Sequence, residues 1–524
     1  SAVLSFMVLC GLVITPVASQ SGHGVVIEAN PQGALNSSID PLICTSLDCW
    51  RLINLLYPTL FAVDPRRGVI EGAGADNVGL VVDPTLDEGN EQVLVIRDDL
   101  RWSDGSAVSG YDVLFSLLFH EVTSYWLPEI DALWLDDPQQ VRIVYSDAAD
   151  CSTFARSNLL VAPVHMYRQD FPAFVDTFQS EHEASANIDE WRRAFERFDY
   201  PRPRQDAPPI TAGLFELDSI RPFEAVRLRA GETGFIYRDI PVNMNRVELF
   251  LEGMSTILVN PPYEQRDNLR TRPDIQIAEY AGPTWVGISF NVADPTRPRD
   301  AYKPSGELYE QGKHPIFGDA RVRQAFQMGI DVREVIEVAY EGNATPLATH
   351  FLPRSWAFDA SVEASVYDPA GAGRLLDEAG WKDANNDGIR ECRGCLYASD
   401  NQPLTVQLTV QNGLELQATL IARQLRAVGF NVQTGGNAAE SQQHDAYLSQ
   451  TSVRRYDDPD PSALYGRAAD VVQFGTNYGS YYNAEIERLM EEARQVPGCD
   501  VETRTALYHQ IQQMLRDDPP AAWL

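Results

Sequence analysis

Positive charge is scarce in this chain: Lys and Arg total 42 against 74 Asp and Glu, a formal net charge of −32 over 524 residues. The summed field repels phosphate backbones and anionic lipid headgroups, so nucleic-acid binding is not expected. Long apolar runs are also lacking. Residues 2–15 (AVLSFMVLCGLVIT) are uncharged but fall short of the roughly 20 apolar residues that span a bilayer, and no other run approaches that length. The sequence contains no Gly-x-Ser-x-Gly, His-Glu-x-x-His or Gly-x-x-x-x-Gly-Lys-[Ser/Thr], which removes the signatures of common serine hydrolases, zinc peptidases and P-loop nucleotide hydrolases. The 8 His are scattered from His23 to His509, and acidic pairs such as Asp517-Asp518 are too common to mark a catalytic centre. No enzyme, resident metal or cofactor is expected. Internal repeats and low-complexity tracts are absent too, which disfavours solenoids and propellers. What remains is ordinary globular composition, 44% apolar and 22% charged, and a length that suggests roughly two to four folding units.

Residues 1–19 point to export. An uncharged apolar segment precedes Val17-Ala18-Ser19 and Gln20, which has the form of a short h-region followed by a small-residue cleavage site. Ser1 is not an initiator Met and no basic region precedes Ala2, so the segment is expected to be a partial signal peptide. Cys10 lacks the small residue expected just before a lipid-modified cysteine. Setting it aside leaves Cys44, Cys49, Cys151, Cys392, Cys395 and Cys499 of the 7 cysteines. In an oxidising compartment Cys44/Cys49 and Cys392/Cys395 would close small loops, leaving Cys151 and Cys499 as a long-range pair. The competing reading is zinc, because Cys-Arg-Gly-Cys has ligand spacing, yet no second pair or His cluster accompanies it.

The rest of the chain reads as mixed α/β. Val25-Val26-Ile27, Leu94-Val95-Ile96 and Val141 to Tyr145 have strand character, while residues 46–57, stopped by Pro58, and Tyr111 to Glu121 have helical character. Pro201, Pro203, Pro208 and Pro209 mark a loop or junction near 200–212, because each proline removes a backbone donor and restrains its predecessor. Over 319–341 the spacing predicts a helix capped by Asp319 with Val322, Ala325, Phe326 and Ile330 on one face, and Asp331 recaps a second. Residues 404–410 alternate as a half-buried strand, followed by a helix through Leu416 to Val428 and a strand at Phe430 to Val432. That is a β-α-β unit.

Ordered blocks carry a family resemblance across nearly the whole chain. They are Asp99-Leu100-Arg101-Trp102-Ser103-Asp104-Gly105 with Asp112-Val113-Leu114-Phe115-Ser116-Leu117; Gly213-Leu214-Phe215-Glu216-Leu217; Gly287-Ile288-Ser289-Phe290-Asn291; Asp319 to Ala325 with Ile330-Asp331; Tyr367-Asp368-Pro369; Leu375 to Trp381; Asp387-Gly388-Ile389-Arg390; and Asp458-Pro459 with Tyr481-Tyr482-Asn483. In this order they resemble the extracytoplasmic solute-binding proteins of peptide-type ABC importers, the dipeptide/oligopeptide-binding family 5. The resemblance implies an α/β, two-lobed periplasmic-binding-protein-like (type II) fold with a hinge. Lobe I would run over 20–290 with an extra subdomain at about 60–205, lobe II over 291–472, and 473–524 would return to lobe I. Val286 to Val292 and Val472 to Tyr478 are the candidate connecting strands. It further implies an extracytoplasmic monomer that binds a peptide or related small-molecule ligand between its lobes and delivers it to ABC importer permease subunits; the alternatives are a receptor of the same fold for an anionic or sugar-like ligand and a non-transport sensor or chaperone.

The expected ligand-binding residues are Thr45, Trp285, Arg455, Tyr456, Asp457, Asp458, Tyr478 and Tyr481. Aromatics stack on solutes and orient them by their hydroxyls, although core packing is the competing role for each; Thr45 and Asp48 equally suit capping of a helix start. Three departures from the family stand out. Where peptide binders commonly place the Asp that anchors the ligand's α-ammonium, this chain has Arg455, and a guanidinium cannot accept from an ammonium. Arg454 and Arg455 suit a carboxylate or phosphate, or are surface charges. Residues 250–258 compress a longer helical stretch of the family. The chain also stops at Pro519 to Leu524 where family members continue, so truncation at this end is expected. Residues 383–388 place oxygen ligands at alternate positions as in a calcium loop, but Gly394 stands where the bidentate Glu belongs, and an Asx-rich turn accounts for them better.

Overall fold

The computed structural model describes residues 13–16, 25–31, 39–42, 44, 47–64, 69–74, 77–83, 91–124, 130–146, 150–167, 210–221, 224–231, 233–240, 245–278, 282–435, 439–452 and 458–524. Two compact units emerge, Ser1–Gly282 with Arg455–Asp458 and Pro497–Cys499, and Pro283–Arg454 with Pro459–Val496 and Asp500–Leu524. The cleavage-site residues 17–20, Cys10, Thr45, the prolines at 201–209 and residues 453–457 lie outside the described residues.

In the first unit β1 (Val13–Pro16) pairs antiparallel with β9 (Leu258–Val259) and β10 (Ile275–Ala278). Strand β2 (Val25–Pro31) is followed by α1 (Leu47–Leu56), β3 (Glu91–Val95), α2 (Gly110–Ser124), β4 (Ile130–Asp137) and β5 (Gln140–Tyr145). After them come β6 (Glu216–Arg221), β7 (Ala225–Ala230) and β8 (Thr233–Ile240). β3, β5 and β4 form one sheet, and β2, β8, β7 and β6 another in which β2 runs parallel to β8. One core joins both sheets to the helices: Leu52, Ile53 and Leu56 of α1, Leu114, Leu117 and Leu118 of α2, Val141 and Ile143 of β5, and Val226 and Phe235 are all buried in it. Within this core Trp102 donates its indole N–H to Asp112 at 3.1 Å, and Asp112 also accepts from the backbone of Ser109 and Val164. The Trp102/Asp112 block is therefore an internal brace.

The second unit is built on one five-stranded sheet. β11 (Thr284–Phe290) precedes α3 (Ala320–Met328), α4 (Val332–Tyr340) and α5 (Pro369–Glu378). The hairpin β12 (Trp381–Lys382) and β13 (Glu391–Cys392) follows, then β14 (Thr405–Val410), α6 (Glu415–Arg426), β15 (Asn431–Thr434) and β16 (Ala446–Ser452). Last come α7 (Ala484–Arg494), α8 (Val501–Asp517) and β17 (Ala521–Trp523). The sheet order is β15-β14-β16-β11-β17, with β14 parallel to both neighbours and β11 antiparallel to both of its own. The β14-α6-β15 crossover is the β-α-β unit expected from the alternation. Period 2 sorts the side chains to two faces. Ile288, Phe290, Leu448, Val406 and Leu408 pack with α3 and α6, whereas Trp285, Ala521 and Trp523 pack on the other face with α7 and α8.

Caps match the sequence pattern. Asp319 accepts from the N–H of Arg321 and Asp331 from that of Glu334, each satisfying a donor that the first helical turn leaves unpaired. Gly287 sits under the two indoles, where an added Cβ would lie 3.3 Å from Trp285 and 3.5 Å from Trp523.

Three features differ from the sequence reading. The division falls between Gly282 and Pro283, since β11 from Thr284 onward pairs with β16 and β17. Residues 472–478 form turns rather than a strand; the left-handed Gln473 (φ 71°) and bonds from Gly475 N to Val471 O and from Thr476 N and Asn477 N to Ala469 O curl the segment. β16, not 472–478, is the strand beside β11, and its Ser452 pairs with Thr284. Finally, most of 473–524 stays in the second unit, because Leu507, Tyr508, Ile511, Leu515 and Trp523 bury themselves there. Only Pro497–Cys499 rejoins the first, where Cys499 is disulfide-bonded to Cys151. Cys44–Cys49 and Cys392–Cys395 are also bonded.

Candidate functional site

Irregular loops bury backbone carbonyls that no ladder satisfies, so polar side chains must reach them. One corner of the second unit does this repeatedly. Asn291, just past β11, donates to the carbonyls of Gln442 (2.9 Å) and His444 (3.0 Å). Asn477 donates to those of Tyr481 (3.0 Å) and Gly466 (3.3 Å). Gln442 and Ser480 both donate to one oxygen of Asp470, at 2.8 and 2.9 Å. Burial pushes the Asp470 carboxyl up to about 6, against the lowering effect of those two hydrogen bonds.

Beside this network His314 accepts at Nδ1 from the N–H groups of Ile316 and Phe317, both 3.0 Å away. That assigns the ring proton to Nε2, which lies 3.0 Å from Asp445. The other Asp445 oxygen accepts from Gln407 N, so the start of β16 is clamped from two sides.

The backbone of the corner is strained. Gln442 (φ 54°), Gln473 (φ 71°) and Ser480 (φ 46°) all adopt the left-handed conformation, which side chains other than those of Gly, Asn and Asp rarely tolerate. Gly479 closes the turn against β11; an added Cβ would meet Phe290 O at 2.3 Å.

The framework presents a small set of exposed or half-exposed groups. The rings of Tyr447 and Tyr478 meet edge to face, with centroids 5.9 Å apart and planes at 83°. Glu440 projects from a 3-10 turn (Ala439–Ser441) and is exposed. The N–H of Gln473 donates to the Glu440 carbonyl at 2.7 Å, tying that turn to the one carrying Phe474, which is 87% exposed. Burial and the Glu440 charge hold both phenols above their usual range, and for Tyr447 the neighbouring Tyr478 contributes as well.

Of the residues expected to touch a ligand, Tyr478 sits in this corner, half-buried. Trp285 and Tyr481 are 4% and 3% exposed: the indole packs edge to face on Trp523, and the Tyr481 hydroxyl donates to Asp518. Both side chains are engaged in holding the C-terminal strand. Asp458 is half-buried and belongs to the first unit. Thr45, Arg455, Tyr456 and Asp457 lie outside the described residues. Glu440, Asp470 and Gln442 carry no signal in the sequence, whereas Tyr447 stands on the strand 446–452.

The loop at 383–391 closes as a series of Asx turns, with Asp387 N donating to Asn385, Gly388 N to Asp383 and Ile389 N to Asp387. Ligand oxygens of Asp383, Asp387 and Glu391 converge within 4.8 Å, and the Glu391 carboxylate accepts from Ala384 N and Asn385. Among the described residues no helix is long and apolar enough to cross a membrane.

Residues 85–470 match the family described as "Bacterial extracellular solute-binding proteins, family 5 Middle". Oligopeptide-binding protein AppA of Bacillus subtilis is 27% identical over 226 residues, 40% of this chain and 39% of that protein. Di/tripeptide-binding protein 1 of Pseudomonas aeruginosa is 24% identical over 286 residues, 52% of this chain and 46% of its own length. The matched stretches thus span less than half of these curated relatives. Among solved structures, that of HbpA2 from Haemophilus parasuis aligns with 95% of this chain and 93% of its own at a TM-score of 0.71 and 16% identity, a likeness of fold.

Proposed function

The chain belongs to the bacterial extracellular solute-binding proteins of family 5, and from that premise we propose that it is the extracytoplasmic substrate-binding component of an ABC importer, capturing a peptide or related small organic solute and delivering it to permease subunits. The observation that carries this reading is the family match over residues 85–470, together with relatives named for binding oligopeptides and di- or tripeptides. The protein is a receptor, and no catalytic step is assigned to it. The residues proposed for solute contact are Thr45, Arg455, Tyr456, Asp457, Asp458 and Tyr478. Trp285 and Tyr481, also expected at the ligand, are buried in the core of the second unit.

A second reading is favoured by one sequence observation: Arg455 stands where peptide binders commonly carry the Asp that takes the ligand's α-ammonium. A guanidinium there suits an anionic or sugar-like solute. Mass spectrometry of small molecules released from gently purified protein separates the two readings. A retained mixture of peptides is the expected result; a single acidic or glycosidic compound, together with gain of peptide binding on Arg455→Asp, establishes the second reading instead.

A further inference from the structure

The corner that carries Tyr478 has a charge pattern of its own. Three carboxylates, Glu440, Asp445 and Asp470, belong to it. Asp445 and Asp470 are hydrogen-bonded into the framework by His314, Gln407, Gln442 and Ser480. Glu440 is exposed, and among the described residues no lysine or arginine pairs with it. Its turn is tied to that of Gln473, and its charge acts on two half-buried phenol rings, Tyr447 and Tyr478, which meet edge to face. The ring of His444 is a buried neighbour of Tyr447. It lies 6.2 Å from the Tyr447 ring, is 1% exposed, and among the described residues neither nitrogen has a hydrogen-bond partner. Burial lowers it to about 4, so at neutral pH it is an uncharged imidazole and adds no positive charge. Three left-handed backbone positions, Gln442, Gln473 and Ser480, hold the turns around these groups, the kind of strain that persists where geometry is needed for function.

Aromatic faces attract cations through the ring quadrupole, and a carboxylate beside them adds a directed acceptor. We infer that Glu440, Tyr447 and Tyr478 form a subsite for a cationic group of the solute, a protonated amine or guanidinium. The inference rests on the reading of the chain as a receptor for peptides or related solutes and supplies what Arg455 cannot, an acceptor for positive charge. On a peptide the cation has two sources, the α-ammonium and a lysine or arginine side chain.

The test uses the full chain and three probes. Argininamide is titrated while the ring resonances of Tyr447 and Tyr478 are followed by NMR, each assigned with its Tyr→Phe variant. Tri-alanine, which offers only its α-ammonium, and acetyl-Ala-Lys-Ala-amide, which offers only its side chain, are titrated by calorimetry. Argininamide is expected to shift both rings, and Glu440→Gln to weaken its binding about tenfold. Tyr478→Leu is expected to weaken it severalfold, with the unfolding midpoint of Glu440→Gln unchanged because the residue is exposed. The peptide that loses affinity in Glu440→Gln identifies the source of the cation. Absence of ring shifts in the parent, or argininamide binding in Glu440→Gln within twofold of the parent, overturns the subsite. If the peptides nevertheless bind, the peptide-receptor reading stands without it; if argininamide shifts the rings while neither peptide binds, the subsite stands and the peptide reading falls.

Discussion

Asp470 illustrates how much a single buried carboxylate constrains. It accepts from Gln442 and Ser480, and burial raises its pKa to about 6, above the ordinary value of 3.8. Below about pH 4 the group is protonated folded and unfolded alike. Between about 4 and 6 the unfolded chain releases the proton and the folded chain retains it, so the stabilisation present at low pH is lost as pH rises through about 6. The loss is on the order of 1–3 kcal/mol. Asp470→Asn, which does not titrate, should therefore gain on the parent by about that amount between pH 4 and pH 7. Urea unfolding midpoints at pH 4, 5.5 and 7 check this; a parent-to-variant gap that does not change with pH would refute it. Asp112 is raised to about 6 in the same direction, but it is present in both proteins and cancels in the comparison.

Among the elements, the final strand is the most exacting. β17 is only Ala521–Trp523, yet it closes the edge of the five-stranded sheet and sets Trp523 against Trp285. Removing a fully buried indole costs about 3–5 kcal/mol. Trp523→Ala should lose that much stability in urea unfolding, whereas Trp50→Ala, from a side chain 40% exposed, should lose under about 1 kcal/mol. Equal losses would show that β17 is not an integral strand. This strand also marks the limit of what the sequence discloses. Helices α3 and α4 and the β14-α6-β15 unit were legible because caps and apolar spacing are local. β17 was not, since three residues carry no period and its partner β11 lies more than two hundred residues earlier in the chain. Val472 to Tyr478 misleads for a related reason: it is expected as a connecting strand, and the left-handed Gln473 together with the carbonyls of Ala469 and Val471 curls it into turns. Of the corner around Tyr478 the sequence discloses little, because Gln442, Asp470, Asn477 and Asn291 act through hydrogen bonds to distant residues and leave no spacing to read.

At the scale of the molecule the Cys151–Cys499 disulfide joins residues 348 apart. Closing so large a loop removes chain entropy from the unfolded state worth about 5–6 kcal/mol in the loop-closure picture. The Cys151→Ser/Cys499→Ser double variant should unfold at markedly lower urea concentration, and added reductant should shift the parent toward it while leaving the variant's shift much smaller. Identical midpoints for parent and variant would show that the bond adds nothing beyond the noncovalent fold.

That bond also has a history. Synthesis runs from the amino terminus, so Cys151 is made long before Cys499, with Cys392 and Cys395 in between. A thiol that waits meets the wrong partners first, and pairing in order of appearance would join Cys151 to Cys392. The native pattern therefore requires that Cys392 be withdrawn first, by pairing with Cys395 three residues on or by burial in the second unit, or that thiol exchange undo early mistakes.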